Sequence, residues 1–481
     1  MIQIPEASDL HQLREFLDSQ GYNAAELTRR IGRARPPAPG EEQDMFDSSR
    51  EITTPNLLAR LFLLGSRTEE ATAREFMPED IVDLCLDCGL LACKNGVIRA
   101  QVVIIPVEDL LFVSDAFHML GSEDAAEFVL PASTHSANFL RLLTMRTAVG
   151  SALDLGCGCG IHALFAARHA NKVVATDVSE RALLYTELNA ALNRIDNVEC
   201  RMGSLFEPVD GQRFDLIVSN PPFVIGPAEN FVYRDNALEL DEFCRQLVRD
   251  APSYLEDGGH LQMLCEWIEI AGEPWPERLA SWIRGCDAWI LHSAPVAPQQ
   301  YVQQRSTDIS GAPVETESIS DWTAYFERHK VSAVHPGMIV LRRREDTNWL
   351  HVQNLPGDVT MPAGQAVAEG IAAIDFIEAC DDEALAEASL SLAEKLTAIQ
   401  MNPEDGGGIY LRLENGLMTD AEIDAPVAAF INLFDGERTV GQCIEEFAAA
   451  TDAEADKLAG DLLSIIRVFV SRGFLGPVDL D

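Results

Sequence analysis

The sequence lacks an uninterrupted apolar run of membrane-spanning length, and its N-terminus lacks a basic segment followed by an apolar one. A transmembrane helix needs about twenty predominantly apolar residues, and a secretory leader needs both of the missing N-terminal segments. The first absence argues against membrane insertion, and the second argues against secretion. We therefore predict a cytoplasmic protein that has no membrane partner.

Cysteine spacing typical of a disulfide framework or a metal site is also missing. The 11 cysteines are odd in number and scattered, and several lie within apolar runs. Cys85, Cys88 and Cys93 come nearest to a metal-binding pattern, but no second C-x-x-C pair and no spaced histidine pair follows them. Cys85 and Cys88 also fit the apolar face of a helix. We predict reduced core thiols and no metal ligands.

Basic residues are scarce, with 36 Lys and Arg against 77 Asp and Glu, and the formal net charge is −41. The last third of the chain is the most acidic. Such a surface repels phosphates, which argues against a nucleic-acid docking face, although acidity also serves solubility. The basic cluster of the N-terminal region is Arg29, Arg30, Arg33 and Arg35. It could contact RNA phosphate, but in an acidic region a solvated helix end is the favoured interpretation.

The length of 481 residues exceeds what one compact core normally holds. We predict three domains. A helical, winged-helix-like domain covers residues 1–127, an α/β domain covers residues 128–350, and an acidic, helical, winged-helix-like domain covers residues 351–481. The two outer domains are expected to mediate contacts with a substrate or with a second copy of the chain.

Helix and turn signals describe the N-terminal domain. Residues 8–32 indicate one or two helices, and Thr54 is predicted to cap a helix over residues 55–64 that has proline in its first position. Asn95-Gly96 between apolar runs predicts a hairpin. Helices followed by a hairpin are the basis of the winged-helix prediction.

The C-terminal domain carries similar signals. We expect an acidic helix over residues 381–396, a turn at Asp435-Gly436 and two helices at about 439–450 and 453–472. Its strong acidity favours contact with a protein over contact with RNA.

Residues 152–160 read A-L-D-L-G-C-G-C-G, an apolar run followed by three glycines at alternate positions, and the spacing of apolar residues after Gly160 is helical. This pattern predicts a strand, a tight turn and a helix. A dinucleotide fingerprint would require its last glycine one residue later, so NAD and FAD are disfavoured. Asp154 would repel a pyrophosphate but would suit an ammonium group. A cationic ligand with an adenosine and an amino-acid part is indicated.

These residues, D-x-G-x-G-x-G, resemble motif I of the class I S-adenosylmethionine (SAM) methyltransferases. The resemblance implies a Rossmann-like, doubly wound sheet of seven strands and SAM as cofactor. Asp154, Gly156, Gly158 and Gly160 would hold the methionine end. Asp177 ends the next apolar run, about twenty residues beyond the first glycine, where a carboxylate commonly accepts bonds from ribose hydroxyls.

A third strand end is predicted at residues 198–207. Related methyltransferases often read G-D-L-F here, with the acid on the adenine amino group, but this chain has Ser204 in place of that acid. A hydroxyl can accept one hydrogen bond, and Leu205 can cover the ring. Both residues are therefore included as predicted contacts of the adenine.

Residues 214–223 read F-D-L-I-V-S-N-P-P-F, which predicts a strand that delivers Asn220, Pro221, Pro222 and Phe223 to the sheet edge where open α/β folds bind ligands. A planar nitrogen attacks a sulfonium methyl poorly because its lone pair is delocalised. Side-chain and backbone oxygens of Asn220 and Pro221 can accept its two hydrogens and stabilise developing positive charge, while Phe223 stacks on the flat group. The prolines keep the turn rigid.

With this turn, residues 128–350 resemble the small methyltransferase domain group, which includes HemK-type glutamine methyltransferases and ribosomal RNA amino-methyltransferases. Phe223 in place of the tyrosine of the HemK type narrowly favours an exocyclic amine of an RNA base as the acceptor. The acidic outer domains favour the alternative, a Gln or Asn amide of a protein. A third alternative is a SAM-binding scaffold without catalysis. Tyr233, Arg234, Asp235 and Asp241 could line the acceptor pocket or form ion pairs.

Overall fold

The computed structural model describes residues 2–38, 40–121, 125–227, 232–236, 238–305, 307, 319–345, 347–355, 359, 361–400, 408–414, 417 and 419–478. The chain divides into two compact units. The first comprises residues 1–141, 148–290 and 295–352, and the second comprises residues 142–147, 291–294 and 353–481. The three-domain division stays a prediction, and most of its first two domains lies within one unit.

Short helices and two small sheets form the part of the first unit that precedes residue 121. The helices are α1 (Ala7–Ser19), α2 (Ala24–Ile31), α3 (Glu42–Ser48), α4 (Thr54–Phe62), α5 (Glu70–Phe76) and α6 (Glu79–Asp87). The strands are β1 (Thr68–Glu69), β2 (Leu91–Lys94), β3 (Val97–Ala100), β4 (Val102–Val107) and β5 (Leu110–Asp115). The sheet orders are β1-β3-β2 and β4-β5. The winged-helix assignment stays a prediction.

Two local predictions for this region can be compared with the structure. The hairpin is confirmed, because β2 and β3 pair antiparallel around Asn95 and Gly96, whose φ angles are 55° and 76°. The predicted helix cap at Thr54 is wrong by one residue. The hydroxyl of Thr53 accepts the Asn56 N–H, and the Thr54 hydroxyl instead donates to the Phe76 carbonyl at 2.8 Å. The helix therefore begins at Thr54.

An eight-stranded mixed sheet forms the centre of the fold. Its strands are β6 (Val149–Leu155), β7 (Ala170–Asp177), β8 (Val198–Met202), β9 (Phe214–Ser219), β10 (Leu255–Ile270), β11 (Cys286–His292), β12 (Val331–Arg343) and β13 (Leu350–Asn354). Their order is β13-β11-β12-β10-β9-β6-β7-β8. The sequence predicted seven strands, one fewer than the structure has. The missing strand is the edge strand β13, which is polar and largely exposed and so lacks a strong apolar pattern.

The strands that carry the predicted site run parallel and end together. Leu155 at the end of β6 pairs with Thr176 of β7 and with Ser219 of β9. The residues that follow these strand ends therefore meet at one edge of the sheet. On the other side of β9 the sheet continues through β10, β12 and β11 to the edge strand β13.

Helices of the central region cover the sheet and connect its strands. They are α7 (His135–Leu143), α8 (Ile161–Ala166), α9 (Glu180–Leu192), α10 (Glu242–Asp250), α11 (Trp275–Ala280), α12 (Pro298–Arg305) and α13 (Ile319–Arg328). Apolar side chains of β6, β9 and β10 pack with those of α10 in one buried cluster that includes Leu153, Ile217, Met263 and Val248. Burial of this surface fixes the positions of the strand ends.

Two asparagines at the end of α9 bind the edge of β5 as a neighbouring strand would. Asn189 accepts the Val113 N–H at 2.7 Å and donates to the Val113 carbonyl at 2.9 Å. Asn193, one turn later, does the same with Leu111 at 2.9 and 2.7 Å. The backbone N–H and C=O groups at the edge of β5 are thus hydrogen-bonded by side chains. These bonds attach the β4–β5 pair to the central fold.

The second unit combines helices and two three-stranded sheets. The helices are α14 (Gly364–Ala379), α15 (Asp382–Glu387), α16 (Ala425–Ile431), α17 (Val440–Ala450) and α18 (Ala455–Ser471). The strands are β14 (Ser389–Leu392), β15 (Leu396–Gln400), β16 (Ile409–Leu413), β17 (Thr419–Ile423), β18 (Asp435–Thr439) and β19 (Leu475–Pro477). The orders are β18-β14-β19 and β15-β16-β17. Leu390, Phe430, Ile466 and Phe474 are fully buried in its core.

Two predictions for this unit are corrected by the structure. The helix predicted over residues 381–396 ends at Glu387, because Ser389–Leu392 alternates polar and apolar residues and forms β14 with Leu390 buried. Asp435-Gly436, predicted as a turn, begins β18, which pairs with β14. The two following helices are confirmed as α17 and α18.

None of the described helices is both long enough and apolar enough to cross a membrane. All 11 cysteines are unpaired. Cys85 and Cys88 are buried, as predicted for core thiols, whereas Cys93 is exposed and lies 3.2 Å from a Glu70 carboxylate oxygen. Within the described part of the chain, no cluster of three or more His, Cys, Asp or Glu side chains suits a metal ion.

Candidate functional site

A cavity of about 590 Å³ lies at the carboxyl edge of the parallel strands. This volume is in the range of pockets that enclose small organic ligands. Most of the predicted site residues line it, namely Gly156, Gly158, Asp177, Ser204, Leu205, Asn220, Pro221 and Pro222. Asp154, Gly160 and Phe223 are adjacent in sequence to lining residues but are not among them.

The glycine turn (residues 156–160) leaves open space beside its backbone. Gly156 and Gly158 have φ angles of 77° and 54°, values that residues other than glycine rarely adopt. A Cβ atom added at either position would meet no atom within 4 Å. The Gly156 and Cys157 N–H groups both donate to the Thr176 carbonyl at 2.9 Å. The turn is therefore held against β7 while a ligand can approach its backbone closely.

The third glycine of the turn has a different role. A Cβ atom at Gly160 would lie 2.8 Å from Cγ2 of Thr186 in α9. Thr186 itself donates its hydroxyl to the Gly158 carbonyl at 3.1 Å. Gly160 is thus required for close packing of the turn against α9, and its predicted contact with the ligand stays a prediction.

Asp177 connects the glycine turn to the start of α9. One carboxylate oxygen accepts the Gly158 N–H at 3.0 Å, and the other accepts the Ser179 N–H at 2.9 Å. Burial raises the pKa of this carboxyl above its usual range. Each oxygen retains capacity for a further hydrogen bond, so the side chain can support the turn and also accept bonds from a ligand.

Asp154 lies at the end of β6 and is only 1% exposed. Its Oδ2 accepts the Ala163 N–H at 2.8 Å, while Oδ1 has no hydrogen-bond partner among the described residues. Burial, with a smaller effect from the charge of Asp177, raises the pKa of Asp154 to about 7. A buried carboxyl of this kind is stabilised in its charged form by a nearby positive charge.

Ser204 and Leu205 follow the end of β8 and line the cavity. Leu205 has a φ of 50°, in the left-handed region that residues other than glycine seldom adopt. In this conformation the Leu205 side chain packs against the apolar core under the central sheet. Both residues therefore lie in the cavity wall, and their contact with an adenine stays a prediction.

The N-P-P-F turn (residues 220–223) lies next to the glycine turn because Ser219 donates its hydroxyl to the Leu155 carbonyl at 2.7 Å. The Asn220 amide nitrogen donates to the Ser136 hydroxyl at 3.3 Å, and the Asn236 amide donates to the Pro222 carbonyl at 2.9 Å. The bond to Ser136 orients the Asn220 amide through its nitrogen. The carbonyl oxygen of the amide is left to accept a hydrogen bond from the nitrogen that would be methylated.

Residues 134–268 match the protein-family model described as methyltransferase small domain. The match includes the glycine turn, Asp177 and the N-P-P-F turn, and it agrees with the resemblance drawn from the sequence.

Two kinds of curated methyltransferase are similar to parts of this chain. The chain is 33% identical over 129 residues to ribosomal RNA small subunit methyltransferase C of Alcanivorax borkumensis, across 25% of this chain and 36% of that protein. It is 34% identical over 156 residues to ribosomal protein uL3 glutamine methyltransferase of Bradyrhizobium diazoefficiens, across 30% and 49%. It is 38% identical over 131 residues to release factor glutamine methyltransferase of Xylella fastidiosa, across 24% and 47%. The chain thus spans between about a third and a half of these relatives.

Phe223 lies at the end of the N-P-P-F turn. It is partly buried and packs against two apolar clusters, one under the central sheet and one formed by α12, α13 and neighbouring strands. It is not a lining residue of the cavity. Stacking of Phe223 on an acceptor stays a prediction.

Two roles were left open for Tyr233, Arg234, Asp235 and Asp241, namely lining the acceptor pocket and forming ion pairs. The structure shows both. Tyr233 and Asp235 line the cavity. Arg234 forms an ion pair with Asp235 at 2.7 Å. Asp241 is buried, pairs with Arg278 and accepts the Ile268 N–H at 3.0 Å, so its role is structural.

Several cavity residues were not singled out from the sequence. The segment before α7 contributes Phe128, Pro131 and Thr134, and α10 contributes Gln246. His162 of α8 also lines the cavity. None of these lies in a recognisable motif.

Proposed function

We propose that this chain is a SAM-dependent N-methyltransferase that acts on a planar nitrogen of a macromolecule. The observation that carries the proposal is that the glycine turn, Asp177 and the Asn220 side chain share one cavity. Such an arrangement holds a cofactor and an acceptor within reach of each other, which is most of what methyl transfer requires.

The cavity residues fit SAM, which supplies an electrophilic methyl group carried by a sulfonium ion. Open space at Gly156 and Gly158 lets the methionine end lie against the backbone. Asp177 is placed to accept bonds from the ribose hydroxyls, and Ser204 and Leu205 are placed to contact the adenine. Asp154, whose pKa burial raises to about 7, would be stabilised in its charged form by a cationic ligand.

On the acceptor side, Asn220 and Pro221 would bind the two hydrogens of the nitrogen through their oxygen atoms. The contact of the Asn220 amide with Ser136 supports this orientation. Positive charge that develops on the nitrogen during methyl transfer is then stabilised by fixed dipoles, and no strong base is needed to begin the reaction. The rigid prolines keep these acceptors in place.

An exocyclic amine of an RNA base is the first acceptor class that we propose. Similarity to ribosomal RNA small subunit methyltransferase C of Alcanivorax borkumensis supports it. The phenylalanine at position 223, in place of the tyrosine of the HemK type, is a second reason.

A Gln or Asn amide of a protein is the second class, and the charges favour it. The chain carries a net charge of −41. The arginines considered as an RNA contact are paired with carboxylates: Arg29 and Arg30 with Glu26, and Arg33 and Arg35 with Glu41. Two glutamine methyltransferases are among the similar proteins.

The test is incubation of the whole chain with SAM labelled in its methyl group and a cell extract, followed by RNase or protease. Loss of the macromolecular label with RNase alone assigns an RNA acceptor, and loss with protease alone assigns a protein acceptor. A protein that binds SAM but labels neither would be a non-catalytic SAM-binding scaffold, and the proposal of an enzyme would be wrong.

We also propose a cytoplasmic location and a homodimer formed through the outer regions. The acidic second unit is better suited to contact with protein than with nucleic acid. Sedimentation of the purified chain tests the dimer, and a monomer at micromolar concentration would contradict it.

A further inference from the structure

The N-P-P-F turn can donate few backbone hydrogen bonds of its own. Pro221 and Pro222 have no backbone N–H, because the nitrogen of each belongs to the proline ring. The rings fix the φ angles, but the peptide planes can still rotate about ψ. The direction of the carbonyl groups in this turn therefore depends on donors that other parts of the chain supply.

Asn236 is such a donor, and it lies in the cavity wall. Its amide nitrogen donates to the Pro222 carbonyl at 2.9 Å, and its amide oxygen accepts the Leu238 N–H at 3.1 Å. Because both ends of the amide are hydrogen-bonded, the side chain is held in one orientation. A side chain fixed in this way in turn fixes the direction of the Pro222 carbonyl.

Pro221 lies between two side-chain contacts of the turn. On one side, the Asn220 amide nitrogen donates to the Ser136 hydroxyl at 3.3 Å. On the other side, Asn236 binds the Pro222 carbonyl. Because both ring φ angles are fixed, the Pro221 carbonyl between these contacts has little freedom to change direction. This carbonyl and the Asn220 side chain are the two groups assigned above to the acceptor nitrogen.

The segment that carries Asn236 is itself attached on two sides. The Val224 N–H, just beyond the N-P-P-F turn, donates to the Arg234 carbonyl at 3.2 Å. The Val232 N–H donates to the Ala126 carbonyl at 3.1 Å. These bonds form when the protein folds, so Asn236 is in place before any ligand binds.

We propose that Asn236 is a positioning residue for methyl transfer, which through the Pro222 carbonyl keeps the oxygens of Pro221 and Asn220 aligned on one acceptor nitrogen. The proposal rests on the proposed function and deepens it. Since Asn236 acts through the turn, its loss lowers the rate of the bound complex and leaves the binding of SAM nearly unchanged. A misplacement of reacting groups by about 1 Å can cost about 100-fold in rate.

Two substitutions remove the donor in different ways. Asn236→Asp keeps the shape of the side chain and the oxygen that accepts the Leu238 N–H, but its carboxylate has no hydrogen to donate. Asn236→Ala removes both bonds without adding a charge. The methylation rate is measured with methyl-labelled SAM and the extract fraction that accepts label. At saturating amounts of both, we expect the rate of each variant to fall about tenfold to 100-fold.

Two further measurements separate a positioning role from a structural one. By isothermal calorimetry, both variants should bind SAM with an affinity within about twofold of that of the wild type. The amount of extract fraction that gives half of the maximal rate should change by no more than about threefold, because the lost bond does not contact the acceptor. A general loosening of the cavity would weaken both kinds of binding.

Asn197→Asp is the matched control. The Asn197 amide nitrogen donates to the Ala167 and Ala170 carbonyls, both at 2.9 Å. This residue immediately precedes β8, at the opposite edge of the sheet from the cavity, and does not line the cavity. Since the control loses two bonds to backbone carbonyls, its Tm should fall at least as far as that of Asn236→Asp. Its methylation rate should remain that of the wild type.

The remaining outcomes would overturn the proposal. An unchanged rate in both variants, or a loss of SAM affinity as large as the loss of rate, would refute the positioning role while methyl transfer by the wild type stands. A loss of rate in Asn236→Asp alone would assign the effect to the added charge, and loss of the thermal transition in both variants would assign Asn236 to folding. If the wild type labels no extract fraction, the proposed function fails and the role of Asn236 fails with it.

Discussion

The two ends of the cavity are built in different ways. At the glycine turn, the side chains assigned to the cofactor also hold the backbone, as Asp177 does for Gly158 and Ser179 and Asp154 does for Ala163. At the N-P-P-F turn, Asn220 makes a side-chain contact with Ser136 at 3.3 Å. Substitutions at the first end should therefore change folding and binding together, and substitutions at the second should change chemistry alone.

The largest effect is expected at the acceptor end. Asn220→Ala removes the oxygen that would stabilise the reacting nitrogen, and loss of such a preorganised group costs about 100-fold to 1,000-fold in rate. SAM affinity and the free energy of unfolding should remain close to those of the wild type. The methylation rate is measured with the extract fraction that accepts label. Asn348→Ala, at an exposed site outside the cavity, is the control, and a parallel loss of stability in N220A would contradict the separation.

Asp177 should show the opposite behaviour. Asp177→Ala deprives the Gly158 and Ser179 N–H groups of their acceptor and removes the proposed ribose contact. We expect a loss of about 2 kcal/mol in the free energy of unfolding and a loss of about 10-fold to 100-fold in SAM affinity. Asp177→Asn keeps one oxygen and should lose less of both. Urea denaturation and calorimetry measure the two effects, with Asp257→Ala at an exposed position as control.

Glycine substitutions can separate packing from ligand contact within the turn itself. Gly160→Ala places a Cβ 2.8 Å from Thr186 Cγ2 at a φ of 78°, so we expect it to cost about 2–3 kcal/mol of stability. Gly156→Ala has a similar φ but meets no atom within 4 Å. It should cost about 1 kcal/mol and weaken SAM binding more than it weakens the fold. Equal losses of stability in the two variants would mean that Thr186 moves aside freely.

Sequence patterns located the strand ends well because each strand is a short apolar run that stops at a polar or glycine residue. Parallel pairing then places these ends at one edge, so the amino-acid sequence alone predicts that Gly156, Asp177 and Asn220 meet. The same reasoning could not find Ser136 or His162. Both lie in helices without a motif, and the packing of α7 and α8 places Ser136 beside Asn220 and His162 in the cavity wall.

Errors of the sequence prediction also have physical causes. Asp435-Gly436 has the composition of a turn, but pairing with β14 draws both residues into β18. The acidic helix predicted over residues 381–396 ends at Glu387, because Leu390 is buried in β14 between β18 and β19. In both cases tertiary packing overrides a local preference, which a single sequence does not show.

The smallest predicted effect concerns the pH dependence of stability at the cofactor end. Burial raises the pKa of Asp154 from its ordinary value of 3.8 to about 7. Between these values the folded protein keeps a proton that the unfolded chain releases. The contribution of this carboxyl to the free energy of unfolding is therefore fully present at a pH below its ordinary pKa. It is lost as the pH rises towards 7, by about 1 kcal/mol per pH unit.

Asp154→Asn isolates this contribution, because the amide can still accept the Ala163 N–H but does not titrate. Other carboxyl groups are common to both proteins and cancel in the difference. We expect the wild type to lose about 1 kcal/mol more than D154N in the free energy of unfolding between about pH 5 and about pH 6, measured by urea denaturation without ligand. Identical pH profiles would show that Asp154 is solvated in the free protein. In that case its carboxylate would be charged before any ligand binds, and the contrast between the two ends of the cavity would rest on Asp177 and the glycines alone.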